Sequence, residues 1–242
     1  MAHTPLSHRS VLVVGASRGL GLAIARTYVD RGARVVATVR GDVSKSLRAV
    51  RDAAPDRVEF EHVDIADGAE ITALANRLRG RTFDLLFVVA GISLAPQSQV
   101  AADIDDDDFA RTLATNALGA MRVVERLHPF VADTGTIAVL SSGQGSITNN
   151  TSGGFEVYRA SKAALNQLMR SFAARHPNDA RALLLLAPGW IRTDMGAPAR
   201  ASRSTRRSRP SSTPWRRIAA RPASASWTAP ARRSPGDLPR PV

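Results

Sequence analysis

The first apolar run of the chain, Val11-Leu12-Val13-Val14, stops at the turn Gly15-Ala16-Ser17-Arg18-Gly19-Leu20-Gly21, and a helical pattern follows at once from Leu20 to Asp30. Consecutive residues of a strand point to opposite faces, so an unbroken apolar run is a strand covered on both sides. The motif recurs. Arg34–Val39, Arg57–Val63, Phe83–Val89, Thr136–Leu140 and Ala182–Leu186 read as further strands, and Ala69–Leu78, Asp106–Leu127 and Tyr158–Arg175 carry helical apolar spacing. Alternation of this kind predicts an α/β fold in which helices cover both faces of a parallel sheet, a three-layer α/β/α arrangement. No internal repeat is present.

The glycine turn between the first strand and first helix adds chemistry to that architecture. Glycine reaches backbone conformations closed to other residues and allows close approach, while a helix N-terminus offers unpaired N–H groups to a pyrophosphate. Its place after the first strand of an alternating pattern reads as the phosphate turn of a Rossmann-type, doubly wound sheet, although the spacing is G-x-x-x-G-x-G rather than the G-x-G-x-x-G of many dinucleotide enzymes. The second strand ends at Arg40, where an NAD-binding protein places an acid to hold the ribose 2′-hydroxyl. A guanidinium there suits a 2′-phosphate instead, and Arg18 in the turn reaches the same group from the other side, so the pair points to NADP(H).

Tyr158-Arg159-Ala160-Ser161-Lys162 has the form Y-x-x-x-K at the start of a helix. Residues at this spacing share a helix face, so a phenol and an ammonium enter one pocket. The cation is expected to favour the phenolate and lower the Tyr158 pKa, which lets the phenol exchange a proton with a substrate oxygen. Upstream, Ser141-Ser142 ends the fifth strand, where a hydroxyl can bond to the carbonyl or alcohol being converted.

In these motifs, and in their order, the chain resembles the short-chain dehydrogenase/reductase family. Thr115-Asn116-Ala117-Leu118-Gly119 and Pro188-Gly189-Trp190-Ile191-Arg192-Thr193 match two more of its signatures. Gly145–Asn166 and Pro188–Gly196 look like its C-factor/sniffer-type subgroup, and the likeness runs from Ser10 to about Ala199. The resemblance implies hydride transfer between nicotinamide and a carbonyl or alcohol, with Ser142 (the second of the serine pair), Tyr158, Lys162 and Asn116 as the catalytic group. Asn116 would organise a proton-relay water near the lysine. It implies cofactor contacts from Gly15, Ser17, Arg18, Gly19, Leu20 and Gly21 at the phosphates, and from Asp64 and Ile65 at the adenine. Ala90 and Gly91 would lie beside the cofactor, as would Tyr158 and Lys162, with Pro188, Gly189, Ile191 and Thr193 near the nicotinamide. It also implies a homo-oligomer, dimer or tetramer. One departure stands out: where the family has Asn-Asn-Ala-Gly after the fourth strand, this chain has Val88-Val89-Ala90-Gly91, without the side-chain amides that steady that strand end.

Composition divides the chain in two. The whole carries 33 Lys+Arg against 21 Asp+Glu, a formal charge of +12, but 11 arginines and a single acid, Asp237, fall in residues 200–242. Residues 1–199 are therefore the Rossmann domain with cofactor and catalytic site, and residues 200–242 an Arg/Pro/Ser-rich, irregular or disordered tail. That mixture is what a GC-rich coding sequence yields when read out of frame. Back-translation of residues 201–236 with GC-rich codons permits a shifted reading with acids, helical apolar spacing and a Trp end. Trp215 and Trp227 among the arginines allow a nucleic-acid or acidic-surface interaction, a weaker reading than the frame-shift, and a cofactor-binding protein of little turnover is a second alternative to the enzyme. There are no cysteines, no apolar leader before Ser10 and no apolar run of bilayer length, which makes cytoplasmic location the default. The acids of Asp103–Asp108 read as a solvated helix start and no metal site is expected. Ile147, Phe155 and Trp190 suggest an apolar ketone, aldehyde or alcohol as substrate.

Overall fold

The computed structural model of the chain describes residues 6–189. Residues 200–242, and with them the expectations for the tail, lie outside that range, as do Trp190, Ile191 and Thr193. Six strands, β1 (Ser10–Val14), β2 (Arg34–Val39), β3 (Val58–His62), β4 (Phe83–Val88), β5 (Val131–Leu140) and β6 (Ala182–Leu186), form one sheet in the order β3-β2-β1-β4-β5-β6. Every neighbouring pair is parallel. This is the expected doubly wound sheet, and its order reverses between β1 and β4.

The strands are apolar throughout because each face has its own core. Leu12, Val14, Val36, Leu86, Val88, Ile137 and Val139 pack on one side with α3 (Gly68–Arg77), α5 (Ala120–Leu127) and α6 (Glu156–Arg175). Val11, Val13, Val35, Ala37, Val39, Leu85 and Phe87 pack on the other with α1 (Gly19–Asp30) and α2 (Lys45–Ala53). Alternate residues of one strand thus enter different cores, as a period of two requires.

Three features of the helices differ from the sequence reading. The helix α2 is not evident from periodicity, because KSLRAVRDA buries only Leu47 and Val50; Ser44 starts it by accepting from Leu47 N at 3.2 Å. The expected single helix over 106–127 is interrupted: α4 (Asp106–Leu113) passes through a wider π turn at Ala114–Gly119 before α5. A π turn of this kind takes one more residue than an α turn, and no residue type within Ala114–Gly119 marks where it is taken up. The helix α6 begins at Glu156, which puts Tyr158 in its first turn rather than at its start.

Candidate active site

The carboxyl ends of β1, β4 and β5 meet where the strand order reverses, the place at which doubly wound sheets hold ligands. The turn after β1 is tied down from two sides. Gly15 N donates to Thr38 Oγ1 at 3.1 Å and Ala16 N to the Thr38 carbonyl at 2.8 Å, so the end of β2 fixes its start. Ser44 Oγ donates to the Ser17 carbonyl at 2.7 Å, linking the turn to α2. Neither Thr38 nor Ser44 was expected from sequence; a polar residue inside the apolar run RVVATV was the available signal. A Cβ on Gly21 would lie 1.9 Å from the Gly15 carbonyl oxygen, so only glycine lets α1 start this close to β1.

The start of α1 fits an anionic ligand. Ser44, Asp67 and Asp105 cap α2, α3 and α4 with their own side chains, whereas no side chain caps α1 and no acid occupies its first turn. Its leading N–H groups point out of the carboxyl edge of the sheet, the arrangement that receives a pyrophosphate. Arg18 and Arg40 are exposed at the carboxyl ends of the paired strands β1 and β2. Asp64 uses Oδ1 to accept from Ala66 N at 2.9 Å, and Ile65 beside it is buried. Together these residues can hold a phosphorylated dinucleotide.

The Val88-Val89 departure is accommodated by backbone. Val88 is buried, and Val89 N and Ala90 N both donate to the Val14 carbonyl, at 2.9 and 3.0 Å. The strand end that the missing amides left open is thus stapled to β1. Just beyond it, a Cβ on Gly91 would lie 3.2 Å from Asn116 Oδ1 and 3.6 Å from Lys162 Nζ. Gly91 therefore faces both groups at once.

Asn116 sits in the π turn with no solvent exposure. Its Oδ1 accepts from Ile92 N at 2.7 Å, and its Nδ2 donates to the Ile92 carbonyl at 2.7 Å and to Ser161 Oγ at 3.0 Å. The side-chain amide is thus engaged in bridging the segment after β4 to α6. Ser161 completes the bridge by donating to the Tyr158 carbonyl at 2.8 Å. Sequence reasoning passed over Ser161 because a serine inside Y-x-x-x-K carries no distinguishing mark.

Tyr158 and Lys162 do meet on one face of α6: Lys162 Nζ lies 5.8 Å from the centroid of the Tyr158 ring. The ammonium donates to the Leu140 carbonyl at 2.9 Å, at the end of β5, and Lys162 is 3% exposed. Ser142 and Ser141 are told apart by their partners. Ser142 lies near enough to the Tyr158 phenol to favour its phenolate, and its Oγ accepts from Gln144 N at 3.1 Å. Ser141 instead donates to Asn166 Oδ1 on the next turn of α6.

The electrostatics differ from the sequence expectation. Burial pushes the Tyr158 phenol up, and the nearby Ser142 hydroxyl offsets only part of that. Burial also brings Lys162 down to about 8. Partial burial of the Tyr158 ring disfavours the phenolate, and burial of Lys162 likewise disfavours that residue's charge. The site therefore holds Tyr158 as a neutral phenol at neutral pH, ready to give a proton.

Comparison with known proteins places the chain. The family described as enoyl-(acyl carrier protein) reductase matches residues 15–229. The dehydrogenase of 1-hydroxy-2-glutathionyl-2-methyl-3-butene from Rhodococcus sp. (strain AD45) is 34% identical over 188 residues, covering 77% of this chain and 79% of its own. A short-chain dehydrogenase/reductase from Burkholderia multivorans, crystallised with bound NADP, is 52% identical with a TM-score of 0.76, over 80% of this chain and 85% of that one. A carbonyl reductase from Pseudomonas aeruginosa PAO1 in complex with NADP is 37% identical with a TM-score of 0.72, over 76% and 84% of the two chains. With sheet, glycine turn and clustered Ser142, Tyr158 and Lys162 in hand, the matches identify this chain as a member of the short-chain dehydrogenase/reductase family of oxidoreductases.

Proposed function

We propose that this chain is an NADP(H)-dependent oxidoreductase that interconverts a carbonyl and an alcohol on a small, apolar substrate. The observation that carries the reading is the convergence of Ser142, just after β5, with Tyr158 and Lys162 of α6, beside an uncapped glycine turn at the reversal of strand order. Gly15, Ser17, Arg18, Gly19, Leu20 and Gly21 hold the pyrophosphate, Arg18 and Arg40 the 2′-phosphate, Asp64 and Ile65 the adenine. Ala90, Gly91, Tyr158, Lys162, Pro188 and Gly189 line the path to the nicotinamide, with Ile191 and Thr193 beyond the described residues. When bound, the nicotinamide gives or takes the hydride.

The chain's own groups handle the proton. Ser142 orients the substrate oxygen toward Tyr158, and the Tyr158 phenol passes its proton to that oxygen as the carbonyl carbon is reduced. Lys162 sits behind the ring and stabilises the phenolate left by that transfer. Asn116 acts through the Ile92 backbone and Ser161, so it is a positioning residue, fixing α6 against the segment after β4. The assembly is a homo-oligomer, for which the exposed Phe109, Leu118 and Leu168 on α4, the π turn and α6 supply an apolar surface.

Fluorescence titration of the full chain with NADPH and NADH tests the cofactor. The expected result is NADPH binding at least about tenfold tighter than NADH, with the preference lost in Arg40→Ala as a charge-assisted phosphate contact disappears. Equal affinity for the two, or an Arg40→Ala protein with unchanged preference, would overturn the assignment of Arg40.

A further inference from the structure

The segment leading into α6 is built against ordinary backbone preference. Gly153, Gly154 and Phe155 follow one another in the left-handed region, at φ 62, 69 and 53, and Phe155 is the sole described non-glycine residue with positive φ. An L side chain rarely stays there unless its surroundings hold it. What holds this turn is Arg159. Its Nε donates to the Gly154 carbonyl at 2.7 Å, and one terminal nitrogen donates to the Gly153 carbonyl at 3.0 Å and to Ser152 Oγ at 3.4 Å. Arg159 lies in the first turn of α6, where the helix dipole disfavours a cation. Its fork of donors, bent back over the helix start, answers the Gly153 and Gly154 carbonyls, which precede α6 and lie outside its hydrogen-bond ladder.

The turn does not stand alone. Phe155 N donates to the Gln97 carbonyl at 2.8 Å, and Ala101 N donates to Glu156 Oε2 at 2.8 Å. A Cβ on Gly154 would lie 3.1 Å from the same Gln97 oxygen, so the two segments meet backbone to backbone. Residues 92–104, after β4, and residues 146–155, after β5, are thereby strapped together across the end of the sheet that carries Tyr158 and Ser142.

We propose that Arg159, with Glu156, is a positioning residue for the substrate: it locks the left-handed turn that joins these two loops and so sets the pocket beside Tyr158. The substrate half of this proposal rests on the catalytic reading of Tyr158; the strap itself does not. The hydrogen bonds of Arg159 go to Ser152, Gly153 and Gly154, away from the cofactor turn after β1, so NADP(H) binding should be insensitive to it. A pocket set by the strap makes Arg159 a determinant of substrate KM rather than of proton transfer.

The test compares the full chain with Arg159→Met and with Arg159→Lys, which keeps the charge but not the planar fork. Amide hydrogen exchange is followed over residues 92–104, 146–157 and 10–40. Steady-state reduction of benzil, an apolar vicinal diketone, by NADPH is measured beside NADPH affinity. The expected result for Arg159→Met is exchange faster by about tenfold in both loops together, with residues 10–40 unchanged. Benzil KM should rise about fivefold or more while kcat and NADPH affinity stay within about twofold, and Arg159→Lys should fall between. Wild-type exchange in either loop of Arg159→Met would overturn the strap. An unchanged KM, or equal losses in kcat and NADPH affinity, would overturn the positioning role. A wild-type protein that binds NADPH but reduces no benzil counts against the catalytic reading, and the exchange pattern then still decides the strap.

Discussion

At Lys162 the fold holds a cation almost out of solvent, with the Leu140 carbonyl as its hydrogen-bond partner, and burial lowers its pKa to about 8 from an ordinary 10.5. The unfolded chain therefore binds more protons than the folded one between about pH 8 and 10.5, so this residue's contribution to stability improves as pH rises through that window. Below pH 8 its penalty is fully present. Lys162→Met should accordingly raise stability at pH 7 by about 1–2 kcal/mol, after allowing for the unpaired Leu140 carbonyl, while abolishing turnover. Chemical denaturation at pH 7 and pH 10 checks it: the advantage of the variant should shrink at the higher pH. Tyr158 predicts a matching asymmetry. Its raised pKa keeps the proton donor loaded at neutral pH, so carbonyl reduction should proceed there, whereas alcohol oxidation, which needs the phenolate, should accelerate as pH rises. Initial rates in both directions from pH 6 to 10 read this out. The identities of Tyr158, Lys162 and the glycine turn were legible in the sequence because their spacing is a local property. The sign of the Tyr158 shift was not, because it depends on how much water the folded pocket removes.

The elements that place these residues are joined by few bonds, and each can be tested. Ser161 is fully buried between Asn116 of the π turn and the Tyr158 carbonyl of α6. Ser161→Ala leaves one Asn116 Nδ2 hydrogen without its acceptor, the other still bonding the Ile92 carbonyl, and should cost about 1–3 kcal/mol in urea unfolding, the range for an unsatisfied buried polar group. The central strand β4 depends on packing instead. Leu86 is fully buried in the core shared with α3, α5 and α6, and Leu86→Ala should cost about 2–5 kcal/mol by the same measurement. The strands were readable to within a residue or two, except that β5 begins at Val131 rather than Thr136, before a shift in its register with β4. The residues VADTG carry no apolar run, and pairing with β4 rather than local preference draws them into the strand. The π turn escaped for a different reason: Asn116 at its centre is a polar residue in an otherwise continuous helical pattern, and nothing local marks the extra residue.

For the whole molecule, the order β3-β2-β1-β4-β5-β6 brings four segments distant in sequence to one crevice: the turn after β1, the Ala90-Gly91 corner, Ser142 and the first turn of α6. Alternation of strands and helices was enough to expect this, because right-handed parallel crossovers leave few other arrangements. The contact between residues 97–101 and 154–156 was not foreseeable, since it joins two loops distant in sequence through the Gln97 backbone carbonyl and the Glu156 carboxylate, neither of which is marked by local spacing. Hydride transfer at this crevice is the central claim, and isotopic labelling tests it most directly. The full chain, incubated with benzil and NADPH deuterated at the transferring carbon, should give an alcohol carrying deuterium on the former carbonyl carbon. Tyr158→Phe should bind NADPH as the wild type does and form almost none of that product. Product without deuterium, or undiminished labelled product from Tyr158→Phe, would contradict the account.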